Sequence, residues 1–265
     1  MSSRRFATDL REAYDKGHIS RVPHFNSVLN VLDSEETTAI LTELVAKSAE
    51  PLAALEDSFA IDSSGFSGCR FDRWYDSKWK NAAPKCRRSW VKAHCMTGVK
   101  TNVVTSVKVL DGDSGDITQF KPLLAETAER FTIKEVSADK AYLSDPVMQA
   151  VDDVGGRAYI PFKSNSLARR PGLWNNAYHY FHLHRDEFCA HYHKRSNVES
   201  TFSMIKRKFG DSVRAKNETA MRNEALAKFV CHNLCCLIQS MNEFGIDPTF
   251  SCTKTNEPAH KLRAI

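Results

Sequence analysis

Apolar residues recur at helical spacing through residues 5–50, and this pattern predicts three short helices. The first ends at Gly17, the second covers residues 23–33, and the third covers residues 33–50. The apolar face that we expect the third helix to bury consists of Ile40, Leu41, Leu44 and Val45. Two short helices joined by a turn could form part of a helix-turn-helix, or they could simply pack on a larger domain.

After residue 57 the period changes to the alternation that is typical of β-strands. Residues 90–112 alternate and are rich in Val and Thr, with a polar turn between Gly98 and Asn102, so they predict a β-hairpin. Around this hairpin the pattern indicates strands at 58–65, 133–143 and 157–162 and helices at 116–131 and 144–156. This order of strands and helices predicts a mixed α/β sheet.

The pattern breaks at residues 164–190, which are rich in polar and aromatic residues and contain a Pro-Gly turn. We interpret this segment as an insertion. Two amphipathic helices follow it, at residues 191–210 and 218–245, and Gly245 is positioned to end the second. The expected buried face of that second helix consists of Leu226, Val230, Leu234, Leu237 and Met241.

The composition is that of an ordinary globular protein, with 42% hydrophobic residues in a chain of 265. There is no run of 18 apolar residues and no apolar signal-peptide core near Met1, so we expect a cytosolic protein without a membrane segment. None of the eight cysteines forms a Cys-x-x-Cys pair. This spacing favours reduced, buried thiols over a disulfide framework or a zinc site.

Positive charge is concentrated in one segment of the chain. Residues 191–216 contain seven Lys or Arg against two acids, and this surplus of five equals the net charge of the whole chain, +5. A stripe of this kind suits a polyanion such as DNA. The simpler interpretation is a solvated helix face.

Three acids are candidates for chemistry. Asp62 and Asp139 each follow directly on an apolar strand, so we expect them at the carboxyl edge of the sheet, where ligands bind in open α/β folds. Glu199 lies within the basic segment. Carboxylate oxygens are ligands that Mg²⁺ prefers, and a pair of such ions can hold the attacking and leaving oxygens of a phosphoryl transfer.

Helical geometry places Glu199 on a stripe with basic and phenolic side chains. At about 100° per residue, Tyr192, Arg195 and Lys206 fall within about 40° of Glu199. An adjacent apolar stripe, expected to pack on the core, consists of Val198, Phe202, Ile205 and Phe209. The spacing also allows a different interpretation, because Ser196 and Glu199 form a capping box that would only fix a helix start.

These residues carry a family likeness. The spacing Tyr192-x2-Arg195-x3-Glu199-x6-Lys206, together with the segments AIDSSGFS and SADKAYLS, resembles bacterial insertion-sequence transposases that have a DDE catalytic domain. One large group of that family has this Tyr-Arg-Glu-Lys signature, and the likeness covers about residues 55–244. In DGDSGDITQFKPLL, where many members have His-Asp-Ser, the family's His is absent and Ile117 follows the acid. We therefore assign Asp116 no catalytic role.

The resemblance implies a ribonuclease-H-like α/β fold, in which a mixed sheet is flanked by helices. We expect the catalytic domain at residues 55–244, with its insertion at about residues 164–190. Residues 1–54 would be a small helical region, the remainder of a DNA-binding domain that is longer in other members. Residues 245–265 would form a C-terminal tail.

The resemblance also implies the chemistry. Asp62, Asp139 and Glu199 would be the catalytic residues and would bind two Mg²⁺ ions, for which Mn²⁺ can substitute. A water would be activated to nick the end of the element, and the freed 3′-OH would then attack target DNA. The implied partner is double-stranded DNA, bound by a homodimer in the bacterial cytoplasm, at the nucleoid. The residues expected to contact DNA are Tyr192, Arg195, Lys206, Lys194, Arg207 and Lys208.

Two other functions are consistent with the sequence. The short N-terminal region favours a truncated, non-catalytic fragment that binds DNA or inhibits a full-length transposase. The second alternative is a zinc protein, because five histidines fall within fifteen residues. These histidines are His179, His182, His184, His191 and His193.

Overall fold

The computed structural model describes residues 3–68, 90–112, 114–169, 171–215, 217–248 and 250. Its strands are β1 (Ser58–Ser67), β2 (Trp90–Gly98), β3 (Val104–Asp111), β4 (Glu135–Ala138) and β5 (Arg157–Tyr159). Its α-helices are α1 (Ser3–Asp15), α2 (Phe25–Leu32), α3 (Glu35–Ala49), α4 (Asp116–Ala128), α5 (Asp145–Asp153), α6 (Leu173–Leu183), α7 (Arg185–Tyr192), α8 (Ser196–Phe209) and α9 (Glu218–Phe244). Short 3₁₀ turns lie at Glu50–Leu52, Lys140–Tyr142 and His193–Arg195.

The strands form one mixed sheet in the order β3-β2-β1-β4-β5. β1, β2 and β3 are antiparallel neighbours, which confirms the predicted hairpin. β4 is parallel to β1, and β5 is parallel to β4. Helix α5 supplies the crossover that the parallel pair β4–β5 requires. This is the ribonuclease-H-like arrangement that the resemblance implied.

Alternate residues of β1 contribute to two separate cores, one on each face of the sheet. Phe59 and Ile61 pack with side chains of α4 and α5 in one core. Ala60 and Phe66 pack with side chains of α8 and α9 in the other. Asp62 has the parity of the second pair, so its side chain points to the face that α8 covers.

Helix α3 joins the second core through its C-terminal half. Val45 and Ala46 are fully buried, and the Val45 carbonyl accepts a hydrogen bond of 3.0 Å from the side-chain amide of Asn233 on α9. The predicted apolar face is wrong for Ile40 and Leu44, which are 59% and 43% exposed. The prediction is confirmed for Val45, which is buried, and for Leu41, which packs against the second core, so the buried side of α3 is rotated away from Ile40 and Leu44.

Helix α9 ends at Gly245, whose φ of 66° is the left-handed conformation expected of a helix stop. Leu226 is buried as predicted, whereas Leu234 and Met241 are 45% and 40% exposed. The buried face is rotated toward Asn233, which is fully buried. A prediction from hydropathy alone puts an asparagine on the solvent side of a helix. The predicted buried face of α9 therefore differs from the observed one, which includes Asn233.

Residues 164–190 contain helix α6 and most of α7, which the sequence pattern does not predict. Aromatic side chains of these helices pack with the end of β5 into a third cluster. Its buried members are Met148, Tyr159, Phe162, Phe181 and Phe188. Trp174 packs edge-on against Phe162, with ring centroids 5.0 Å apart. The aromatic residues of the insertion therefore build its own small core.

The cysteines that the structure describes are free thiols, as predicted. Cys95 and Cys236 are buried, whereas Cys231 is exposed, so the expectation of burial is wrong for that residue. Within the described part of the chain, none of the helices is both long and apolar enough to cross a membrane.

Candidate active site

Asp62 and Asp139 lie side by side on the neighbouring strands β1 and β4. Ile61 pairs with Ala138, the last residue of β4, and Asp62 and Asp139 are the residues that directly follow this pair. Parallel strands lie roughly 4.8 Å apart, which makes the two backbones direct neighbours. Asp139 follows a strand end as predicted. Asp62 does not, because β1 continues to Ser67 in pairing with β2.

Arg195 connects Glu199 to Asp62. One guanidinium nitrogen, Nη2, donates to Oδ2 of Asp62 at 2.7 Å, and the other, Nη1, donates to Oε1 of Glu199 at 2.6 Å. The capping-box interpretation is wrong, because the Ser196 hydroxyl donates to the His193 carbonyl and Ser196 already has helical backbone angles. The guanidinium thus links an acid of the sheet to an acid of helix α8.

The Tyr-Arg-Glu-Lys residues do not share one regular α-helix. Tyr192 ends α7, Arg195 ends the 3₁₀ turn that follows, and Glu199 lies in the first turn of α8. A 3₁₀ turn advances by about 120° per residue, so the stripe predicted from uniform helical spacing is shifted across this turn. Arg195 still faces both acids, because the turn lies directly beside β1.

Lys206 approaches the same surface from further along α8. Its Nζ donates to the Ser64 hydroxyl at 2.6 Å and lies 5.3 Å from the ring centroid of Phe66. Ser64 is two residues beyond Asp62 and therefore on the same face of β1. Burial lowers the pKa of Lys206, an effect that Asp211 opposes. A half-buried cation of α8 thus contacts the strand that carries Asp62, two residues beyond that acid.

The three acids are close enough to interact electrostatically. Burial raises the pKa of Asp62; the Ser63 amide and Arg195 oppose this shift, while Glu199 and Asp139 add to it. Burial also raises the pKa of the Tyr192 phenol, and the same three acids contribute to that shift although Arg195 opposes it. Three carboxylates with one bridging cation make a site that attracts further positive charge.

The donor set suits a hard divalent cation, because it consists of carboxylate oxygens. The Asp62 side chain is 22% exposed and that of Glu199 is 58% exposed. Asp139 Oδ1 accepts the Lys140 amide at 2.5 Å. No group of three or more His, Cys, Asp or Glu side chains among the described residues is arranged to hold a metal ion. The Arg195 guanidinium lies between the carboxylates of Asp62 and Glu199 and is hydrogen-bonded to both.

Comparison with known families supplies the identification. The family profile described as "Transposase DDE domain" matches residues 54–234. The chain belongs to this transposase family. No curated protein matches it. A solved structure with some likeness is "Crystal structure of a pre-cleavage Mos1 transpososome", at 12% identity and a TM-score of 0.27, over 90% of this chain and 74% of that chain. At that TM-score the likeness supports no functional conclusion.

The other basic residues near the site of this transposase domain differ in their surroundings. Lys194 Nζ lies 2.7 Å from Oε2 of Glu135, in an ion pair beside β4. Lys208 Nζ lies 2.9 Å from the sulfur of Cys235 on α9. Arg207 is exposed. The predicted role of these residues in DNA binding stays a prediction, and for Lys194 it would require the ion pair to open or to be shared.

Histidines in the insertion and directly after it contact aromatic and acidic neighbours. The rings of His182 and His191 lie 4.4 Å, centroid to centroid, from those of Tyr178 and Tyr159. His191 Nδ1 also lies 2.9 Å from Oε1 of Glu135. These contacts, in a described region that contains no metal-binding group, leave the zinc alternative without support.

Asp116 makes contacts that sequence reasoning missed. Its carboxylate accepts the Ser63 hydroxyl at 2.8 Å and lies 2.7 Å from Lys92 Nζ, on the opposite face of β1 from Asp62. Burial acts to raise the pKa of Asp116, but hydrogen bonds from Lys92 and Ser63 hold it below its ordinary value. The buried His94 ring lies 3.3 Å away. These contacts connect Asp116 to β1 at Ser63, the residue after the candidate catalytic Asp62. The only signal for them in the sequence was the likeness of the segment around Asp116 to the family.

Proposed function

We propose that this transposase-family protein cleaves DNA at the ends of a mobile element and transfers the freed 3′ ends to target DNA, in a reaction that depends on a divalent metal. One observation carries the proposal. Asp62 and Asp139 directly follow the last pair of the parallel strands β1 and β4, and Arg195 joins Asp62 to Glu199. Membership of the transposase DDE domain family supports it. The substrate would be double-stranded DNA, bound by a homodimer.

Asp62, Asp139 and Glu199 are the proposed catalytic and metal-binding residues. Two Mg²⁺ ions, or Mn²⁺ in their place, would supply activation of water and stabilisation of charge on the phosphate when bound. The fold contributes the positions of the acids. The pairing of β1 with β4 determines the spacing of the two Asp residues, and the packing of α8 against the second core determines that of Glu199.

The cations beside the acids are proposed to bind the DNA backbone. The planar guanidinium of Arg195 can make a bidentate contact with a phosphate, and Lys206 can act as a point charge. The raised pKa of Tyr192 keeps its phenol protonated, and therefore able to donate a hydrogen bond. The residues proposed to extend this contact to neighbouring phosphates are Lys194, Arg207 and Lys208.

The variant Asp139→Asn tests the proposal, because it keeps the shape of the side chain and removes its charge. We expect the wild-type protein to nick labelled duplex DNA carrying the element ends in Mg²⁺ or Mn²⁺ and not in EDTA. Asp139→Asn should lose nicking and keep DNA binding in a gel-shift assay. Asp153→Asn, which changes an exposed acid on α5, should nick at the wild-type rate.

Two results would contradict the proposal in different ways. Nicking that persists in Asp139→Asn would overturn the catalytic assignment. DNA binding by the wild-type protein without nicking in either metal would instead favour the non-catalytic alternative.

A further inference from the structure

The place between Asp62 and Glu199 is taken by a cation that belongs to the chain itself. The Arg195 side chain is only 18% exposed and donates from its two terminal nitrogens to two different carboxylates. Its third nitrogen, Nε, is buried and has no hydrogen-bond partner in the described structure. The guanidinium is therefore held by two acids that come from different elements, β1 and α8.

We propose that Arg195 is a built-in counter-ion of the metal site, which holds Asp62 and Glu199 together in the free protein and must leave before a divalent ion can bind. The inference rests on the proposed function, because it takes these two acids as metal ligands. The guanidinium uses Oδ2 of Asp62 and Oε1 of Glu199, so a metal ion would compete for the same oxygens. Two cations at this short distance would also repel each other strongly.

A DNA phosphate offers the displaced guanidinium a second partner. Arg binds phosphate and carboxylate with the same planar, bidentate geometry. Arg195 lies on the 3₁₀ turn before α8, so its side chain can rotate away from the acids while the packed helix stays in place. Metal and DNA would then favour the same displaced position of Arg195. Two ligands that favour one state of a protein bind cooperatively, and this coupling is reciprocal.

Lys206 provides a matched control. It is a half-buried cation on the same helix as Glu199, and it contacts β1 two residues beyond Asp62. Its Nζ donates to the hydroxyl of Ser64 rather than to a carboxylate oxygen. Removal of its charge should therefore change metal affinity far less than removal of the Arg195 guanidinium.

The test is Mn²⁺ binding to the full chain in the absence of DNA, measured by calorimetry and by electron paramagnetic resonance of free Mn²⁺. We expect Arg195→Gln to bind Mn²⁺ about tenfold more tightly than the wild type, within the usual range of coupling between two ligands. Arg195→Lys keeps the charge but cannot bridge two carboxylates, so its affinity should be intermediate. Duplex DNA should tighten Mn²⁺ binding by the wild type by a larger factor than that of Arg195→Gln, in which only the direct coupling between the ion and the DNA phosphate remains.

The possible failures are distinguishable. Equal or weaker Mn²⁺ binding by Arg195→Gln, at an unchanged melting temperature, would overturn the inference and leave the proposed function intact. Tight binding that survives Asp62→Asn in the Arg195→Gln background would overturn the metal site itself, and with it the proposed function. If Arg195→Gln does not fold, the comparison passes to Arg195→Lys, for which equal or weaker binding again overturns the inference.

Discussion

At the scale of single residues, His94 is a buried titratable group one strand away from the candidate site. Its ring is fully buried on β2, and Nε2 lies 2.9 Å from the Ser114 hydroxyl. Burial lowers the pKa of His94 below its ordinary value of 6.5, although Asp116 opposes the shift. The folded protein therefore favours the neutral imidazole.

This preference makes stability depend on pH. A depressed folded pKa contributes stability that is present above the unfolded pKa and is lost as pH falls toward the folded pKa. We therefore expect the free energy of unfolding to fall below about pH 6.5, by at most about 1.4 kcal/mol per pH unit for this one group. His232 is also buried with a lowered pKa, from the same first cause, so His94→Gln should remove part of the slope. Parallel curves for the variant and the wild type in urea titrations at several pH values would contradict the assignment.

Residue identities could be predicted from the sequence more readily than residue partners. The acids Asp139 and Glu199 were predicted as site residues from their context, and in the structure both contribute to the raised pKa of Asp62. Spacing alone allowed Glu199 either to cap its own helix at Ser196 or to face the sheet. The structure favours Arg195 as the partner because the 3₁₀ turn places that guanidinium between helix and strand. The periodicity of the sequence does not predict this 3₁₀ turn at His193–Arg195.

At the scale of elements, the β2–β3 hairpin is held by a residue that precedes the sheet. Glu56 is 2% exposed, and its carboxylate accepts the amides of Lys100 and Thr101 at 3.1 and 2.5 Å and the Thr101 hydroxyl at 2.7 Å. Gly98 leaves the space for this contact, since a Cβ there would lie 2.4 Å from Glu56 Cδ. The turn therefore depends on a buried charge as well as on its own residues.

Glu56→Gln should weaken the hairpin without changing its shape. The charge-assisted hydrogen bonds to the carboxylate become neutral ones. The side-chain NH₂ of the glutamine also faces a backbone or hydroxyl donor, with which it cannot form a hydrogen bond. We therefore expect a loss of about 1–3 kcal/mol in the free energy of unfolding. Urea denaturation followed by circular dichroism measures this loss. The exposed Glu129→Gln serves as the control (68% exposed) and should change stability by less than about 0.5 kcal/mol. Equal losses in both variants would show that Glu56 has no special role.

Element types could be predicted here, but their orientation could not. Alternation in residues 90–112 predicted the hairpin, and helical spacing in residues 116–131 and 144–156 predicted α4 and α5; these elements are where we expected them. Leu234 was misplaced because α9 buries Asn233, whose polar groups are satisfied by tertiary hydrogen bonds that hydropathy does not contain. Helices α6 and α7 were missed because aromatic and polar residues are mixed in the insertion without a clear period.

At the scale of the whole molecule, Asn233 connects three elements. Its Oδ1 accepts the Val104 amide of β3 at 2.9 Å, and its Nδ2 donates to the carbonyls of Val104 and Val45 at 2.7 and 3.0 Å. Nδ2 also lies 3.1 Å from the hydroxyl of Ser48 on α3. Hydrogen bonds from Asn233 of α9 thus connect α3 to strand β3. The predicted domain boundary at residue 54, by contrast, places α3 in the N-terminal region and β3 in the catalytic domain.

Asn233→Ala tests whether α3 folds together with the sheet. The substitution leaves buried amide and carbonyl groups of β3 and α3 without partners, at about 1–3 kcal/mol for each group left unsatisfied. We expect a total loss of about 2–4 kcal/mol, since some of these groups relax toward other partners. If α3 belongs to the same cooperative unit, circular dichroism and tryptophan fluorescence should report one transition, shifted to lower urea. Gln239→Ala, an exposed change on the same helix, should leave the midpoint nearly unchanged. An early, separate loss of helical signal in Asn233→Ala would instead show that the region before residue 54 folds on its own, as the predicted boundary implies.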